Sequence, residues 1–433
     1  GRRTYDSLPS PKLPGRTIIV VSSHYSNHSE ELTSPTTAVA SIDDIDLQQW
    51  TDDEEIFVIG GQEIYREFYV RNLFYEIILT QVFTDNYDFK CDRFFPRVDY
   101  NNLRLVQSKA INDIITTQPS DKVLSGNVNT YRNRYYEQEL GEVQYRNLLQ
   151  KIIREGTVKE TRNGKTISLF SEKISFDLRQ GNLPAINSRR IPTKGPLKEL
   201  QWIISGSKNA QDLSAQGVPV WEGNTTIDFL QNNSTLTNPQ EGEMGETYGY
   251  LMRHFGHPYE GMEVDYTGKG FDQLADAIKK LRYDPTNRRI IINLFKPDAQ
   301  KHCSLPPCVM MYHFYVNTDR NELSCMVYIR SSDTALGLPW NFLTGAYMIY
   351  LLAKVTGYEP GQLHFVLGDV HIYEKNLAGI KQLLQRRIRY KKFPKFLLKK
   401  DLASIEDIID LTDDDYVIDG YQPLSKISME MQA

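Results

Sequence analysis

Apolar residues follow two rhythms along the chain, and the change between them falls near residue 140. Before it, the short runs RTIIVVSS (16–23), EEIFVIGG (54–61) and YEIILTQVF (75–83) alternate with polar turns and predict strands. QEIYREFYVR, directly after the glycine pair 60–61, predicts a helix, and NTYRNRYYEQ (129–138) predicts a last strand. Strand and helix in alternation point to an α/β sheet. The polar string 112–127 predicts a surface loop or hairpin. Beyond Gly141 the period lengthens: Tyr145, Leu148, Leu149, Ile152 and Ile153 line one helical face, and Gly156 is placed to end it. A second amphipathic helix carries Phe271, Leu274, Ala275, Ile278 and Leu281 and stops before Pro285. Strands near 309–316 and 324–330 precede a long apolar helix over 341–355. The change of rhythm divides the chain into domains 1–138 and 139–433, the second of mixed α+β character.

A length of 433 residues suits two or three domains, and 40% hydrophobic with 24% charged residues is the balance of a soluble globular protein. The formal charge of −5 excludes a polycationic nucleic-acid binder but leaves room for local anion sites. Cys91, Cys303, Cys308 and Cys325 lack metal-ligand spacing, so no metal is expected and a reducing, cytoplasmic setting fits. No apolar run reaches membrane-spanning length, and GRRTYDSLPS has no signal-peptide core.

The thiol of Cys308 stands between two prolines and the run VMMYHFYV. A lone cysteine in such a setting reads as a small core residue, and a nearby cation is what would make it a nucleophile. Arginines recur in RNGKT (162–166), NRRII (287–291) and IRSSD (329–333). Arg330 closes an apolar strand and is followed by two serines, a combination of forked donors and hydroxyls suited to a phosphate dianion.

From Tyr145 to Ala433 the chain resembles thymidylate synthase, through LLQKIIREG, KELQWIISG, YDPTNRRIII, LPPC, ELSCMVYIRSSD, LGLPWN, LGDVHIY and the terminal DGYQPLSKISMEM in order. The resemblance implies reductive methylation of deoxyuridylate by 5,10-methylenetetrahydrofolate in a homodimer. Position 6 of uracil is a poor electrophile, and covalent attack there is what makes carbon 5 nucleophilic. In that family's pattern Cys308 is the nucleophile, kept ionised by Arg330. Arg162, Arg330 and Ser331 hold the phosphate, with Arg288 and Arg289 reaching in from the other subunit. Asn341 matches uracil N3–H and O4, where the related cytidylate hydroxymethylases carry Asp. His371 and Tyr373 contact the deoxyribose. Glu199 organises proton transfer at the pyrimidine carbonyl and Tyr248 helps remove the carbon 5 proton. Asp333, Trp221, Leu336 and Gly337 line the folate, and the last residues, through Met431 and Ala433, close over the ligands. Val309, Ile329, Trp340, Gly345 and the pair Leu251-Met252 depart from that pattern, which sets His, Gln, Phe, Tyr and Gln-Trp there. They bear on rate, folate position and inhibitor preference. Two other readings are a pyrimidine-nucleotide hydroxymethylase, against which Asn341 speaks, and a catalytically silent folate- or RNA-binding module.

Residues 1 to about 136 resemble the later part of dihydrofolate reductase, through GRRTYDSLP, KLPGRTIIVVSS, EEIFVIGGQEIYREFY, ILTQV and CDRFFP. The resemblance implies NADPH held by Arg2, Thr4, Ser22, Ser23, Gly60, Gly61, Gln62 and Tyr65, with the glycine pair and the following helix start cradling pyrophosphate. Arg16 would pair with the glutamate tail of folate and Thr80 would brace the catalytic carboxylate. That carboxylate belongs upstream of GR-T in the family, so the sequence as printed is expected not to reduce dihydrofolate.

Overall fold

The computed structural model describes residues 2–8, 16–27, 36–45, 56–71, 73–74, 76–83, 94–98, 100, 103–114, 124–133, 141–386 and 393–431. The chain divides into two compact units, Gly1–Glu137 and Gln138–Ala433.

In the first unit, α1 (Arg2–Asp6) precedes β1 (Ile18–Val21), α2 (Ser23–Asn27) and β2 (Thr36–Val39), and β1 pairs with β2 in parallel. Helix α3 (Gln62–Val70) follows, then β3 (Glu76–Phe83), β4 (Leu103–Ile114) and β5 (Leu124–Asn133), which form an antiparallel sheet in the order β3-β5-β4. The polar string 112–127 thus joins two hairpin strands, and its centre, 115–123, lies outside the described residues. Cys91 lies outside them too. The strand expected over 54–61 does not form: Ile56–Gly61 make no ladder among the described residues, and Phe57 and Ile59 stand exposed. An apolar run becomes a strand only where a neighbour offers hydrogen bonds.

The second unit opens with α4 (Gly141–Glu155), whose Tyr145, Leu149 and Ile152 are fully buried. Strands β6 (Thr157–Thr161) and β7 (Gly164–Asp177) form a hairpin. Helices α5 (Gly195–Ile204), α6 (Tyr248–Arg253) and α7 (Gln273–Tyr283) lead to β8 (Ile291–Asn293), β9 (Val309–Asn317) and β10 (Glu322–Asp333). Then α8 (Gly337–Thr356) crosses over to β11 (Glu359–Tyr373). The six-stranded sheet runs β6-β7-β11-β10-β9-β8, with β10 and β11 parallel and the other neighbours antiparallel. A parallel pair needs such a crossover, and α8, apolar all round and almost wholly buried, supplies it.

Alternation along β10 sets the faces. Leu323, Cys325, Val327 and Ile329 point into the core, while Ser324, Met326, Tyr328 and Arg330 stay partly exposed on the other side. The same open face carries Met311, His313 and Tyr315 of β9 and His364 and Val366 of β11. Val309 and Ile329 face each other directly across β9 and β10, both buried. Phe176 packs edge to face on both Phe342 and Phe365 in the core, and those two rings are tilted against each other. No helix among the described residues is long and apolar enough to cross a membrane.

Gly345 on α8 leaves room for Phe365, since a Cβ there would stand 2.9 Å from its Cζ. Gly345→Ala is expected to lower stability by about 1–3 kcal/mol despite a gain of about 1 kcal/mol in helix propensity, read by urea denaturation. Adding Phe365→Leu should remove most of that loss.

Candidate active site

The corner Pro306-Pro307-Cys308 is held by one side chain. Arg330 donates from Nε to the Pro307 carbonyl at 2.9 Å and from Nη2 to that of Pro306 at 2.8 Å. Its own backbone N–H donates to the Cys308 carbonyl at 2.9 Å. Nη2 lies 3.9 Å from Cys308 Sγ. From the other side, the Cys308 amide donates to the Tyr248 hydroxyl at 2.9 Å. Cys308 as a residue is half-buried.

Burial pushes the Cys308 thiol above its ordinary value, and the Arg330 charge offsets only part of this. Two of the three guanidinium nitrogens are engaged by proline carbonyls, and only the edge of the fork faces sulfur.

Glu199 sits on α5, 8% exposed, and each of its oxygens receives an indole N–H: Trp221 Nε1 to Oε1 at 2.8 Å and Trp340 Nε1 to Oε2 at 2.6 Å. Burial raises its pKa, and the two indole bonds act in the opposite sense. The rings of Trp221 and Tyr248 are 5.6 Å apart, which joins the Glu199 and Cys308 clusters. Burial holds the Tyr248 phenol well above its usual value.

At the end of β10, Asp333 accepts from the Ala335 amide at 2.9 Å, and burial raises its pKa against the pull of His371 and Arg189. Leu336 and Gly337 follow as the start of α8. One turn on, Asn341 is half-buried, and its side-chain amide makes no hydrogen bond to a described residue. On β11, His371 Nδ1 lies 3.0 Å from Asp369 Oδ1 and its ring is edge-on to Tyr373. Burial raises the Tyr373 phenol, and Asn163 and Arg162 of the β6–β7 turn are near enough to oppose this, which brings that turn to the same place. Ser331 lies beside Asp369 in the β10–β11 register.

Arg288 and Arg289 stand apart. Both are exposed ahead of β8, and neither side chain makes a hydrogen bond or ion pair with a described residue. The terminal tail is tied down by Asn376, which donates to the Glu430 carbonyl and accepts from its amide, while Met431 is exposed and Ala433 lies outside the described residues. Sequence reasoning missed the bond from Trp340 to Glu199 and the role of Asp369. The second was open to the period-2 rule, since Asp369 precedes His371 by two on one strand.

In the first unit, Gly61 caps α3 without any side-chain cap, and a Cβ on it would stand 3.4 Å from Thr4 Oγ1. Gly60 has φ +109°, and a Cβ there would stand 2.9 Å from the Tyr65 ring. Gln62 accepts from the Phe94 amide at 3.0 Å. Ser22 donates its amide to Val39, and Ser23 begins α2. Arg2 pairs with Asp6 at 3.6 Å. The structure thus brings Thr4, the glycine pair and Tyr65 together, while Arg16 at the foot of β1 and Thr80 on β3 are exposed. Among the described residues no cluster could hold a metal ion.

The thymidylate synthase family profile matches residues 143–433 and the dihydrofolate reductase profile residues 1–120. A bifunctional dihydrofolate reductase-thymidylate synthase of Zea mays is 33% identical over the whole chain, which covers 87% of that protein. A Leishmania major protein of the same description is also 33% identical, over the whole chain and 84% of its own length. The thymidylate synthase of Homo sapiens is 40% identical over 67% of the chain and 90% of its own length.

Because burial outweighs the guanidinium, alkylation of Cys308 is expected to keep accelerating as pH passes the ordinary thiol value of 9.0. Arg330→Gln should move the curve further up. Peptide mapping after timed iodoacetamide treatment reads both.

Proposed function

The chain belongs to the bifunctional dihydrofolate reductase–thymidylate synthase family, and on that premise we propose which residues carry the methylation of deoxyuridylate to thymidylate. The carrying observation is the meeting of Cys308, Arg330, Tyr248 and Glu199 around one corner of the sheet. Cys308 forms a bond from sulfur to carbon 6 of uracil, and the displaced electron pair moves toward O4 and makes carbon 5 nucleophilic. Asn341, with its amide unspent, accepts from N3–H and donates to O4. Glu199 organises proton transfer at that carbonyl, and Tyr248, placed by the Cys308 amide, helps take the proton from carbon 5.

Arg330, Ser331 and Arg162 bind the phosphate, and His371, oriented by Asp369, contacts the deoxyribose with Tyr373. The folate would lie against Trp221, whose N–H is engaged by Glu199 so that its partly exposed face is free to stack. Asp333, Leu336 and Gly337 complete that wall. When bound, 5,10-methylenetetrahydrofolate supplies the one-carbon unit and the hydride. The chain works as a homodimer, supported by the open, largely apolar sheet face at Met311, Tyr315, Met326, Tyr328 and Val366. Arg288 and Arg289, exposed and without side-chain partners among the described residues, serve the phosphate of the partner subunit.

In the first unit, Arg2, Thr4, Ser22, Ser23, Gly60, Gly61, Gln62 and Tyr65 would hold NADPH, which when bound would supply hydride. The fit rests on the uncapped start of α3 and on two glycines where a Cβ would crowd Tyr65 and Thr4. Arg16 pairs with a folate carboxylate, and Thr80 braces the reductase's acid. The domain division expected at 138–139, one residue beyond the division of the structure between Glu137 and Gln138, separates the two activities.

Incubation with 5-fluorodeoxyuridylate and methylenetetrahydrofolate should give a covalent adduct on Cys308, absent in Cys308→Ser; an unmodified wild-type chain by mass spectrometry overturns the reading. Mixing inactive Cys308→Ser subunits with inactive Arg289→Ala subunits should restore part of the synthase activity if the site is shared. A mixture that stays inactive while exchanging subunits removes that role from Arg289.

A further inference from the structure

We propose that Trp340 is a positioning residue that, seated against Gly195, fixes the orientation of the Glu199 carboxylate for its proton-transfer work. The inference rests on the reading of Glu199 given above. One hydrogen bond leaves a carboxylate free to rotate about it; two donors, one on each oxygen, define its plane. Trp221 and Trp340 provide these from separate elements, at 2.8 and 2.6 Å. Gly195 and Glu199 are four apart on α5 and share a face. The Trp340 indole lies along that face, its pyrrole nitrogen on the carboxylate and its benzo edge at Gly195, where a Cβ would stand 2.6 Å from Cη2. A Cβ at 195 cannot coexist with the ring in this seat, so the indole must shift from the position in which it meets Glu199. Trp340 also precedes Asn341 on α8, so one helical turn carries both the reader of the base and the anchor of the acid.

The other titratable groups facing Glu199 are Tyr248 of α6 and Tyr312 of β9, both kept protonated by burial far beyond neutral pH. Loss of a donor to the carboxylate favours its neutral form, so its titration moves to higher pH.

Trp340→Phe keeps the ring and deletes the N–H. It is expected to lower kcat about tenfold, leave KM for deoxyuridylate within about twofold, and shift the Glu199 limb of the kcat–pH profile up by about one unit. Gly195→Ala should produce the same shift, and the double variant should be no worse than Trp340→Phe, because both act on one bond. Gly195→Ala also serves if Trp340→Phe does not fold. Glu199→Gln is the control: it should lose kcat and that pH limb together. If Glu199→Gln is impaired while Gly195→Ala and Trp340→Phe keep the parent kcat and profile, the positioning role is overturned. If Glu199→Gln itself retains kcat, the reading of Glu199 fails instead.

Discussion

The active-site corner of the second unit depends on a single guanidinium that ties the proline pair ahead of β9 to β10. Two successive prolines have no N–H to give a ladder, and their carbonyls would be stranded beside β10 without a donor from outside. Arg330 provides it through Nε and Nη2, and its backbone fastens to Cys308. The arrangement has a cost in chemistry, since nitrogens bound to carbonyls stabilise the thiolate less. It leaves Nη1 without a partner among the described residues, the group best placed to meet an incoming anion. Structure and phosphate recognition thus divide one side chain between them.

Around that corner the acids and phenols are all shifted toward their neutral forms by burial. Glu199, Asp333, Tyr248 and Cys308 share this direction, and each has a specific partner that opposes it in part: two indoles, the Ala335 amide, the Cys308 amide and Arg330. A site of this kind changes protonation when a ligand alters the balance, which is what a reaction with several proton transfers requires.

Much of this was legible in the sequence because it is periodic. The helices at 141–155 and 273–283 and the strands after 309 and 322 follow from apolar spacing alone, and motif order placed Cys308, Arg330 and His371. Spacing could not reveal the run at 54–61, whose strand character depends on a neighbour elsewhere in the chain. Nor could it reveal that Trp340, noticed only as a departure, reaches back across 141 residues to Glu199. The direction of the Cys308 shift was also hidden, because it is set by how deeply the folded chain buries the sulfur, which spacing does not report.

Two further departures turn out to be one. Val309 and Ile329 are register partners on adjacent strands, both sealed in hydrocarbon directly behind the nucleophile. Restoring a polar group to either alone would strand it against a methyl-lined neighbour, with neither water nor a mate to satisfy it. The two positions therefore act as one packing unit, and a polar side chain is tolerated at either only together with a partnering change at the other.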